Sequence, residues 1–88
     1  MELERWSKLD KRQQLLNIKT ELFRATNWQH KDTEKFQGSL IRALDLIATT
    51  FNDKKWKNEL IQLIILYEEV AKIFINKTND IKIIFNAI

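Results

Sequence analysis

His30 is the chain's one histidine, and there is no cysteine among the 88 residues. No disulfide and no thiolate metal site can form, and a zinc site would need carboxylates almost throughout. Ser7, Ser39 and the threonines have only His30 to serve as a base. Glu68 and Glu69 are consecutive, so on a helix they project about 100° apart and do not face each other across a substrate. The single glycine, Gly38, leaves no phosphate-cradling loop. These residue types point away from catalysis, and no cofactor or metal is expected.

Charge offers a second kind of chemistry. Lys54-Lys55-Trp56-Lys57 is the densest basic cluster, and Arg5, Trp6, Lys8, Lys11 and Arg12 supply another. Together they are candidates for a nucleic-acid surface, with cations on phosphates and aromatic faces on bases. The same residues also fit a solvated helix start, because Trp56 falls on an apolar stripe and Asp53 and Glu59 lie close in sequence. Trp6 either packs back on the helices or stands out as an anchor for another chain. Lys19 sits between two apolar sides of its helix. Its stem either lies over apolar surface with the ammonium in water, or it is partly buried and paired with a carboxylate, for which Glu59 is the candidate.

The stretch Arg24-Ala-Thr-Asn-Trp-Gln-His30 resembles the R-x4-6-H motif of the HEPN ribonucleases, small helical domains whose Arg and His cut RNA across a dimer interface. That resemblance covers seven residues and implies RNA cleavage by Arg24 and His30. It departs from the family in having Ala25 where a polar residue commonly follows the Arg, and in ending the first helix rather than a later one. The same residues fit a surface cation and a histidine at a helix C-terminus, where imidazolium meets the terminal carbonyls. Lys31-Asp32-Thr33-Glu34-Lys35 through Leu40, Ala43 and Leu44 resembles the second helix of a tetratricopeptide repeat, and Phe23 matches its first-helix leucine. Arg24 and Phe36 depart from that pattern at its small-residue and alanine positions. No proline closes the unit and no second copy occurs. This resemblance implies peptide or protein binding at most.

The elements that must position these groups are helices. With no proline and one glycine, long helices have almost no internal breakers. Asp10 and Gln13 have capping-box spacing, so a first long helix is predicted from Asp10 to about Gln29, with Ser7 as the other possible start. A second runs from Asp32 as N-cap to about Thr50, and a third from Asn52 or Asp53 to about Asn76. Ile81, Ile84, Phe85 and Ile88 at i, i+3, i+4, i+7 suggest a short last helix from about Asn79, with a strand as the alternative. The second helix buries one stripe, Phe36, Leu40, Ala43, Leu44, Ile47 and Phe51. The third is apolar over most of its circumference: Trp56, Leu60, Leu63, Ile64, Tyr67, Val70, Ala71 and Phe74, widened by Ile61, Ile65, Leu66 and Ile73.

The expected architecture is all-α, a small up-down-up bundle of three long helices with a short fourth, forming one domain over residues 1–88. A hydrophobic share of 44% argues against disorder. The net charge of +3 is spread evenly: residues 1–35 carry eight Lys/Arg and six Asp/Glu, the rest seven and six, so neither part is a basic arm. The stretch Leu60 to Ile75 is interrupted by Gln62, Glu68, Glu69 and Lys72, and is too short and charged to span a bilayer. The start, MELERWSKLD, lacks the apolar region of a signal peptide, so a cytoplasmic location is expected. The leading functional expectation is a non-enzymatic interaction or structural module whose partner is a second copy or another protein. It would self-associate through surplus apolar surface on the third helix and the last one. Candidates for that interface, or for the core, are Ile61, Leu63, Ile65, Leu66, Ile73, Ile84 and Phe85.

Overall fold

The computed structural model describes residues 2–75, which fold as helices only. A short α1, Leu3–Trp6, leads into α2, Lys11–Trp28, and α3, Thr33–Thr50. A 3₁₀ segment, Lys54–Glu59, then opens into α4, Leu60–Phe74. The last predicted helix, with Ile84 and Phe85, lies outside the described residues.

The starts of the two longest helices are set by local chemistry. The Asp10 carboxylate accepts from the Gln13 N–H at 2.8 Å, and the Gln13 side chain accepts from the Asp10 N–H at 3.1 Å, which makes the expected capping box. Asp32 accepts from the Lys35 N–H at 3.0 Å. Between these helices the turn is tight, because the N–H groups of Lys31 and Asp32 both donate to the Trp28 carbonyl at 3.0 Å.

Helix α3 is central, with α2 and α4 packed on it far more extensively than on each other. Its stripe supplies Leu40, Ala43, Leu46 and Ile47 to the core. From α2 come Ile18, Leu22 and Ala25, and from α4 come Leu66, Val70 and Ile73. Phe51 and Tyr67 close one side with ring centroids 5.9 Å apart.

One expectation is corrected and one alternative is decided. First, the third predicted helix is divided. Asp53 caps a 3₁₀ turn by accepting from the Lys55 N–H at 3.1 Å, and α-helical hydrogen bonding begins only at Leu60. Second, of the two readings open for Trp6, packing back on the helices is the one seen, because Trp6 is buried in the core. The four-residue α1 has no side-chain cap. A segment this short is marginal alone, and the burial of Trp6 is what holds it in place.

Candidate interaction surface

Positions 60–66 of α4 read Leu-Ile-Gln-Leu-Ile-Ile-Leu, so both sides of the helix are apolar. One side, Leu63 and Leu66, is buried, and that stripe continues through Val70 and Ile73. The other is not covered by the described residues. Leu60 is 38% exposed, Ile61 72%, Ile64 46% and Ile65 54%. Of the expected interface residues, Leu66 and Ile73 therefore belong to the core, because they lie on the arc of α4 that points to α3. Leu60 and Ile64, read from the sequence as part of the inward stripe, face outward instead. Ile61 and Ile65 are exposed, as an interface would need.

The uncovered surface extends toward α2. Leu15, Trp56, Glu59, Gln62, Leu63, Ile65 and Leu66 line an open cleft of about 370 Å³. Leu15 also lines a neighbouring cleft with Arg12, Leu16 and Lys19, and Leu16 is exposed. The first cleft follows from the central placement of α3, which leaves the outer edges of α2 and α4 apart. Lys19 is half-buried there. Glu59, the partner expected for Lys19, forms an ion pair with Lys11, two turns earlier on α2. The Lys11 ammonium also stands 5.3 Å from the centre of the Trp56 ring.

The basic clusters are split between solvent and structure. Lys54 and Lys57 are exposed, but the Lys55 ammonium donates to the Asp53 carboxylate at 2.8 Å and to the Ser7 carbonyl at 2.9 Å. Within one chain, Arg24 and His30 line different clefts. Arg24 donates to Glu21 at 2.6 Å in a cleft shared with Asn17 and Arg42, whereas exposed His30 lines a different cleft with Phe36 and Phe74. Glu21, nearly buried, is bridged a second time by Arg42 at 2.9 Å, which ties α2 to α3.

Sequence reasoning passed over a buried polar cluster beside this surface. Gln14 is fully buried, and its amide donates to the Trp6 carbonyl at 2.9 Å and to the Asp53 carboxylate at 2.8 Å. Its oxygen accepts from the Trp56 indole N–H at 2.6 Å. The Trp6 indole donates to the Thr50 hydroxyl at 2.8 Å, which donates in turn to the Leu46 carbonyl at 2.7 Å. Burial alone would raise the Asp53 pKa, but hydrogen bonds from Lys55 and Gln14 and the Lys55 charge outweigh it and hold the carboxyl below its usual value. Among the described residues, every buried side-chain nitrogen and oxygen has a partner. The cluster fastens α1, α2, α3 and the 3₁₀ segment together, and each donor and acceptor in it serves that fastening. The legible signal was position: Gln14 continues the Ile18, Leu22, Ala25 stripe one turn toward the N-terminus.

Among the described residues no group of three or more His, Cys, Asp or Glu could hold a metal ion, and no helix is long and apolar enough to cross a membrane. No known protein family matches the chain, and neither a curated protein nor a solved structure matches it significantly.

Proposed function

We propose that this chain is a non-enzymatic interaction module that self-associates through the outward face of α4. The observation that supports this reading is the exposure of four apolar residues, Leu60, Ile61, Ile64 and Ile65, within the first two turns of one helix. Scattered exposed apolar residues are ordinary, but a contiguous patch beside apolar clefts is the usual mark of a docking face. A two-fold pair is the simplest closed solution, since one patch meets itself. With each side chain counted by its exposed fraction, covering the patch on both copies would gain ~6–12 kcal/mol at the usual value for a buried aliphatic side chain. The cost of association is similar, ~4–15 kcal/mol. The balance favours a reversible, concentration-dependent dimer over an obligate one.

Nucleic-acid binding has weaker support, because Lys55 and Lys11 are engaged by Asp53 and Glu59. RNA cleavage has less, because Arg24 is held by Glu21 and lines a different cleft from His30. Light scattering across a concentration series tests the proposal. The expected result is a mass rising from one chain toward two, with Ile61→Lys or Ile65→Glu restoring the single-chain mass. A chain of single mass throughout, with retention on a polyanion lost in Lys54→Glu/Lys57→Glu, would replace this reading with nucleic-acid binding.

A further inference from the structure

The exposed residues Leu60, Ile61, Ile64 and Ile65 are centred on the point between Gln62 and Leu63. Lys57 precedes that point and Glu68 follows it, at equal separations along the chain. Both are exposed, and neither forms an ion pair among the described residues. Lys54, three residues before Lys57, is exposed as well, while the other charged neighbours are occupied: Lys55 by Asp53, Glu59 by Lys11 and Glu69 by Lys72. Glu68 lies ~8 Å along the axis from the midpoint at the α-helical rise, and Lys57 ~10 Å on the other side, allowing for the longer 3₁₀ rise. A flexible lysine stem absorbs that difference. On the helical wheel Ile61, Ile64, Ile65 and Glu68 share the outward face. Lys57 stands one 3₁₀ turn before Leu60, at the edge of that face.

Resting on the self-association reading, we propose that two copies pack α4 against α4 in antiparallel fashion, about a two-fold axis passing the midpoint between Gln62 and Leu63. Ile61 then lies level with the partner's Ile64, and Leu60 with the partner's Ile65. Each Lys57 comes beside the partner's Glu68, so the apolar patch is flanked at both ends by opposite charges. A parallel pairing would set Lys57 against the partner's Lys57 and Glu68 against the partner's Glu68. Like charges at a contact disfavour that arrangement.

Reciprocal charge reversal in the full chain tests the arrangement, read by sedimentation velocity with far-UV circular dichroism to verify the fold. Lys57→Glu and Glu68→Lys should each raise the dimer dissociation constant about tenfold, because two exposed pairs turn from attractive to repulsive. The double variant should return to within about threefold of the original, since the pairs are re-formed with signs exchanged. A dimer whose double variant is as weak as, or weaker than, the single variants overturns the antiparallel arrangement and leaves self-association standing. A wild-type chain that stays monomeric overturns both, and assigns the patch to another occupant, such as residues 76–88 or a different protein.

Discussion

Gln14 occupies a position where an aliphatic side chain would be expected from the helical stripe it belongs to. Its amide satisfies three buried groups at once: the Trp6 carbonyl, the Asp53 carboxylate and the Trp56 indole. Gln14→Leu keeps the volume and removes all three bonds. Each orphaned buried group costs ~1–3 kcal/mol, offset where water can reach it. We expect a net loss of about 2–4 kcal/mol, read from the urea midpoint of tryptophan fluorescence. An unmoved midpoint would show that the indole and carbonyl find other partners. Asp53 adds a dependence on pH. Its folded pKa lies below the usual carboxylate value, so the unfolded chain takes up the proton first as pH falls. The stabilisation from its ionised form is present above the usual value and is lost as pH drops through the lowered one. Asp53→Asn should therefore flatten the acid limb of the stability curve below about pH 4 and leave a smaller, pH-independent deficit above it. A curve that keeps the wild-type acid slope would assign that slope to other carboxylates. The burial of Gln14 was legible from its register with Ile18, Leu22 and Ala25. Its partners were not, because Asp53 and Trp56 lie about forty residues away and no local pattern encodes that meeting.

Whole elements were legible in proportion to how locally they are determined. Asp10 with Gln13, and Asp32, mark helix starts through bonds that span three residues, and both appear where the sequence places them. Asp10→Ala should cost about 1 kcal/mol, measured as a lowered denaturation midpoint. Gln13→Ala should cost less, since it removes only the reciprocal bond of the capping box. Equal losses for the two would mean that the box acts as a unit. The break at residues 54–59 resisted sequence reading because Asp53 has the appearance of an ordinary helix cap. It caps two residues on instead of three, while Trp56 turns in to reach Gln14 and Lys55 reaches back to Ser7. These long-range bonds override local propensity, which is a weak constraint over so short a stretch. Helix α1 was missed for the related reason that four residues carry little signal of their own. It is held by the Trp6 indole bond to Thr50, across 44 positions of sequence.

At the scale of the molecule, a central α3 flanked by α2 and α4 buries one side of each outer helix and leaves the other outward. For α2 the outward side is mostly polar, with Leu16 and Phe23 exposed among Arg12, Asn17 and Thr20. For α4 it is aliphatic over its first turn and a half, and this asymmetry is why self-association is proposed there. The wide apolar arc was legible in the sequence. Which half faces inward was not, because Leu66 and Ile61 are equivalent in type and only the path of α3 separates them. Thermal melting distinguishes the two halves. A ligand that binds only the folded state raises stability in proportion to the logarithm of its concentration, and a second copy is such a ligand. The melting temperature of the unaltered chain should therefore climb with protein concentration. Ile65→Glu removes an exposed side chain from the shared face, so its melting temperature should not vary with concentration and should match the dilute limit of the parent. Leu66→Ala, made on the buried half, should lower the melting temperature at every concentration, in keeping with the 2–5 kcal/mol typical of a core truncation, at most about 5. The slope with concentration should survive in it. Should Ile65→Glu also lower the dilute-limit melting temperature by a comparable amount, the outward face would be contributing to the fold of the single chain, and the self-association proposal would lose its basis.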